Sequence, residues 1–140
     1  MSTPTLFLDF DGVLHLMSGY RDEAFCKLPL LEDLISNVEV DIVVSSSWRF
    51  QHSLDELKAL LGKLGAKVVG TTSEAYVGRH ARYNEILQYV ERHNITNWRA
   101  LDDASYEFPS NEMRLIVCDP NAGVGDFQLM QLAQWLQRGY

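Results

Sequence analysis

Five short apolar runs alternate with stretches of helical periodicity along this chain, and all but the third stop at an acid or a serine. Thr5 to Phe10, Val40 to Val44, Ala66 to Val69, Trp98 to Leu101 and Leu115 to Cys118 read as strands, being short and rich in β-branched and aromatic residues. Between them, Leu30, Leu31, Leu34 and Ile35 recur at helical spacing and predict a helix over 30–37. Ser53 and Glu56 make a capping box, opening a helix with the stripe Leu54, Leu57, Leu61 and Leu64 and with Gly65 as its C-cap. Tyr83, Ile86, Leu87 and Val90 form the next stripe, which ends near His93-Asn94. Asp126 is expected to cap a last helix with Phe127, Met130, Ala133 and Leu136 on one face. Strands alternating with helices build βαβ units. The expected fold is therefore α/β: a three-layer, Rossmann-like, doubly wound, mostly parallel sheet of five strands. Ligands of such sheets sit beyond the carboxyl ends of the strands.

The amounts of material agree. The 140 residues are 46% hydrophobic and 22% charged, enough for one domain over 1–140 with its own core. No apolar run approaches the roughly 20 residues of a membrane span. The first residues lack the basic start of a secretory signal. Cys26 and Cys118 suit buried thiols in a reducing compartment better than a disulfide framework, so a cytoplasmic location is expected. The net charge of −7 disfavours general binding to a polyphosphate backbone. That charge is unevenly spread: Arg49 to Arg82 carries +3 and the remainder −10.

At the strand ends stand Asp9-Phe10-Asp11-Gly12, Ser45-Ser46-Ser47, Asp102-Asp103 and Asp119. Carboxylates crowded on one rim repel unless a cation joins them, and hard oxygen donors select Mg²⁺. Asp9 and Asp11 would point to opposite faces of a regular strand, so the chain must turn at Asp11, and Gly12 permits it. One carboxylate can then attack while the other handles a proton. A serine hydroxyl and an arginine fork can clamp a phosphoryl group. These are the parts of a phosphoryl-transfer site.

LFLDFDGVLH resembles the first motif of the haloacid dehalogenase (HAD) superfamily, IVVSSSWR its second, Arg82-Tyr-Asn-Glu-Ile86 a third motif with Arg for the usual Lys, and ALDD at 100–103 its acidic fourth. The ordered set is most similar to a small capless subgroup that includes domains associated with RNA repair. That resemblance implies Asp9 as nucleophile forming an aspartyl-phosphate, and Asp11 as the acid that protonates the leaving group and then activates water. It implies Mg²⁺ held by Asp9, the Asp11 backbone carbonyl and an acid from Asp102 or Asp103. Ser45 or Ser46 would bind the phosphoryl group and Arg82 or Arg79 would neutralise it, with Gly12 and Arg49 also on the substrate side. Asp11 favours phosphatase over dehalogenase chemistry.

The gaps that could hold a cap, about 29 residues after the first strand and about 28 after the third, are each partly used by a predicted helix, so no large cap domain is expected. An open site suits a macromolecular phosphoester, such as an oligonucleotide end, or a nucleotide. Tyr20, Arg21, Tyr76 and His80 are expected to border it, while His15 and His52 read as loop or surface residues and Trp48 as a core residue. The alternatives are a non-catalytic phosphate-binding module on the same fold and a phosphotransferase using the same intermediate. Oligomeric state is not legible.

Overall fold

The computed structural model describes residues 3–17, 24–73 and 77–138; Tyr20, Arg21 and Tyr76 lie outside them. Its strands are β1 (Thr5–Leu8), β2 (Asp41–Val44), β3 (Val68–Thr71), β4 (Trp98–Asp102) and β5 (Leu115–Val117). They form one sheet in the order β3-β2-β1-β4-β5, and every pairing is parallel. The helices are α1 (Leu28–Ile35), α2 (Leu54–Leu60), α3 (Ala81–Arg92) and α4 (Asp126–Arg138). Among the described residues no cap domain accompanies them.

Alternation along β1 splits the core in two. Leu6 and Leu8 pack with Leu31 and Ile35 of α1, Leu57 of α2 and Leu132 and Trp135 of α4. Phe7 points the other way, among Ile86 of α3, Trp98 and Phe108. Three helices thus cover one face and α3 the other, giving three layers. The strand order reverses between β1 and β4, the crevice where ligands of open α/β sheets bind. Asp9 leaves β1 there, its backbone N–H donating to the Leu101 carbonyl at 3.1 Å, and Asp102 ends β4 alongside.

Several local expectations shift. The capping box forms, with Glu56 N–H on Ser53 Oγ at 3.2 Å and Ser53 N–H on Glu56 Oε1 at 2.7 Å. However, α2 ends at Leu60 and a 3₁₀ segment runs over Gly62–Lys67. Gly62, at φ +55, takes the left-handed position expected of Gly65. Gly65 answers a different need, since a Cβ there would collide with the Lys58 carbonyl. The 3₁₀ segment consumes Ala66 and Lys67, so β3 starts at Val68. In α4, Asp126 is already helical, and Phe127 and Met130 face solvent. The buried side carries Leu132 and Trp135, because Trp135 Nε1 donates to Asn97 Oδ1 at 2.7 Å and anchors that face inward. Cys26 is exposed rather than buried. Its neighbour Phe25 takes φ +59 and sends its ring against Phe10 and Trp48.

Candidate active site

The turn after β1 shapes the site. Gly12 adopts φ +75, and its N–H donates to the His15 carbonyl at 2.8 Å, folding residues 11–15 back on themselves. A side chain at Gly12 would also strike the Asp103 carboxylate, so glycine serves both backbone and space here. Asp9, Asp102 and Asp103 converge, with one oxygen from each lying within 4.8 Å of the others. Asp9 and Asp102 are buried.

Arg82, in the first turn of α3, supplies the facing cation. Its Nη1 lies 2.9 Å from Asp102 Oδ2 and 3.3 Å from Asp9 Oδ2. Asp102 Oδ1 also accepts the Ala104 N–H at 2.9 Å, so a backbone turn orients it. Burial opposes the Arg82 charge, but Asp102 and Asp9 outweigh it and hold the guanidinium more firmly protonated than usual. Burial, the Asp102 charge and a hydrogen bond with Asp103 push the Asp9 carboxyl up to about 9, against the pull of Arg82. Burial, then Asp102, likewise raises Asp103. Three carboxyl groups therefore crowd together with a guanidinium on only two of them, a set of hard oxygen donors that fits a divalent cation such as Mg²⁺. Burial and the same acids push the Cys118 thiol up to about 12, which leaves it neutral and unreactive.

The serines after β2 divide. Ser46 Oγ accepts the Trp48 N–H at 3.2 Å and caps the 3₁₀ turn over Ser47–Phe50. Ser45 Oγ is buried with no partner, a cost tolerated where a ligand supplies the missing bond. Thr72, one residue past β3, has a second buried hydroxyl without a partner. Its N–H donates to Val44, which places it beside Ser45, and sequence reasoning had passed over it.

Other predicted residues lie elsewhere. The Asp11 carboxylate stands apart from the three clustered acids: its Oδ1 is 2.7 Å from His15 Nε2 and 3.1 Å from Trp48 Nε1. His15 is buried rather than on the surface, and no motif spacing announced its contact. Trp48 is partly buried against the core, and His52 stacks on it. Arg49 turns inward, its side chain 4% exposed: Nη1 donates to the Ser45 and Ser46 carbonyls and Nη2 pairs with Glu85 Oε1 at 2.8 Å. Arg79 and His80 stand at the start of α3, on a groove of about 550 Å³ that also takes in Tyr106 and Phe108. Asp119 Oδ1 accepts the Asn121 N–H at 2.9 Å and closes its own turn.

The arrangement can hold a cation, bind a phosphoryl group and carry a nucleophile beside a separate proton-handling carboxylate. No helix among the described residues is long and apolar enough to cross a membrane. No curated protein and no solved structure matches the chain. Residues 5–129 match the family model described as "HAD domain in Swiss Army Knife RNA repair proteins". The four motifs stand in order around a parallel sheet's switch point and the match covers most of the chain, so it belongs to this family of HAD domains.

Proposed function

We propose that residues 1–140 act as one domain, a divalent-cation-dependent phosphomonoesterase working through an aspartyl-phosphate on Asp9. The observation that carries this reading is the convergence of Asp9, Asp102 and Asp103, the first two paired with Arg82, together with the unpartnered Ser45 hydroxyl. Asp9, Asp102 or Asp103, and the Asp11 carbonyl would hold Mg²⁺. When bound, the ion supplies positive charge that lets an anionic nucleophile approach an anionic phosphate.

Asp9 attacks phosphorus, and the bond from phosphorus to the leaving oxygen breaks. That oxygen keeps the electron pair and takes a proton from Asp11. Water then attacks the phosphorus of the aspartyl-phosphate and gives its proton to the Asp11 carboxylate. The Asp9 oxygen leaves with its electron pair, releasing inorganic phosphate. Ser45 donates to a phosphoryl oxygen throughout and Arg82 balances its charge. Arg49 braces Ser45 and Ser46 through their carbonyls rather than touching substrate.

The substrate we propose is a phosphate at a nucleotide or nucleic-acid end. The groove of Arg79, His80 and Tyr106 opens between the segments that carry Arg82 and Asp102–Asp103, and Tyr106 is 81% exposed. A base can stack on its ring while Arg79 meets the next phosphate. Two unbridged cysteines fit a reducing cytoplasm. The test is phosphate release from an aryl phosphate and from 3′- and 5′-phosphorylated oligonucleotides, with Mg²⁺, with EDTA, and with Asp9→Asn. Turnover that vanishes in both controls supports the reading. Turnover that survives Asp9→Asn sinks it.

A further inference from the structure

Asp11 sits in surroundings unlike those of the three clustered acids. Its side chain is 38% exposed, and two neutral donors meet on one of its oxygens: His15 Nε2 at 2.7 Å and Trp48 Nε1 at 3.1 Å, both to Oδ1. The histidine is itself oriented. The Phe25 backbone N–H donates to His15 Nδ1 at 3.2 Å, so Nδ1 is the acceptor and Nε2 carries the hydrogen that faces Asp11. His15 is buried, with its ring edge-on to Phe25 at 5.2 Å and 5.7 Å from the Trp48 ring. Trp48 is set by Ser46, which caps its N–H, and by His52, which stacks on it. Two chain segments therefore meet on a single oxygen, the turn after β1 and the loop after β2, and a third, the residues before α1, orients the histidine.

We infer that His15 and Trp48 form a two-donor clamp that positions Asp11 for proton transfer to the leaving group. With Oδ1 held by both donors, Oδ2 is the oxygen that carries the transferred proton. Two uncharged donors orient the carboxyl without tying it to a fixed counter-charge. Asp9 and Asp11, two residues apart, are thereby sorted into separate tasks by their surroundings: one buried among acids and Arg82, the other held by imidazole and indole. His15 and Trp48 are positioning residues, since they act through Asp11.

This inference rests on the phosphatase reading, and the test separates the two. Single-turnover rates of leaving-group release, which exclude the later attack of water, are compared on a dinitrophenyl phosphate, whose leaving group departs without a proton, and on a simple alkyl phosphate, whose leaving group needs one. His15→Phe and Trp48→Phe should each lower that rate on the alkyl ester by about ten- to a hundredfold. The loss on the dinitrophenyl ester should be several times smaller, with KM little changed on both. His15→Gln, which keeps an N–H donor, should recover part of the alkyl-ester rate. A beryllium fluoride-induced rise in Tm should persist in all three variants, showing that the cation and phosphoryl sites remain built. Equal losses on both esters, or a change confined to KM, overturn the clamp while leaving the phosphatase intact. Wild-type protein inactive on both esters overturns the phosphatase reading and the clamp with it.

Discussion

Glu85→Gln should destabilise this protein more than most single substitutions, and the reason lies in one buried ion pair. Arg49 Nη2 and Glu85 Oε1 are 2.8 Å apart, and both side chains are only 4% exposed. The glutamine keeps the shape but removes the charge, leaving a guanidinium buried without its counter-ion. Breaking one side of a buried pair costs about 3–5 kcal/mol. A chain of this length unfolds with an entropy of about 0.3 kcal/mol per kelvin, so Tm should fall by about 10–17 °C. Burial also shields the pair from salt, so the drop should persist at about 1 M NaCl, where a surface pair would be screened. Removing both charges with Arg49→Met and Glu85→Leu should cost less than the single change, since no lone charge remains. Thermal and urea unfolding monitored by circular dichroism measure all three. A Tm within about 3 °C of wild type for Glu85→Gln means a cost near 1 kcal/mol, the worth of an exposed pair, and refutes the reasoning. The consequence would reach function too, because Arg49 holds the Ser45 and Ser46 carbonyls and Glu85 lies on the helix that carries Arg82.

The two serines should behave oppositely: Ser45→Ala removes an unpartnered buried hydroxyl, so Tm should hold or rise while kcat/KM falls, whereas Ser46→Ala loses a cap worth about 1 kcal/mol. A Ser45→Ala protein that unfolds well below wild type would show that its hydroxyl has a structural partner. Gly12→Ala should cost at least about 1 kcal/mol and weaken divalent-cation binding, because φ +75 and the nearby Asp103 carboxylate both reject a Cβ; an unchanged cation affinity in titration calorimetry counts against this. The Asp9 carboxyl, raised from 3.8 to about 9, stays protonated at neutral pH without a cation. Cation binding at pH 7 should therefore release close to one proton and tighten with rising pH up to about 9, read by calorimetry in two buffers of different ionisation enthalpy. Without the cation, the folded state holds a proton that the unfolded chain gives up above 3.8, so stability contributed by this group should fall as pH rises from about 4 towards 9.

Much of the scaffold was legible because its signals are local. The capping box of α2, the β-branched run of β2, and the glycine after Asp11 each act through neighbours a few residues away. Where local signals tied, tertiary packing chose. Two apolar stripes compete on α4, and the bond from Trp135 to Asn97 selects the one that turns inward. Gly62 and Gly65 both suit a helix end, and the approach of the Lys58 carbonyl reserves Gly65 for close packing.

The sequence by itself determined the alternating parallel fold and the four motifs that belong at its strand ends. It did so because strand pairing, helix faces and turns obey short periodicities. It also determined the chemistry on offer: carboxylates, serines and arginines at the strand ends. Only the tertiary structure decided which of those groups meet. Trp48 reaches Asp11 across 37 residues of chain, Arg49 reaches Glu85 across 36, and Arg82 reaches Asp102 across 20. No spacing rule covers such separations, because those contacts exist only once the sheet has brought the loops together. That is why Ser45 rather than Ser46 is left open, why Arg49 turns inward, and why His15 ends up on an acid instead of at the surface.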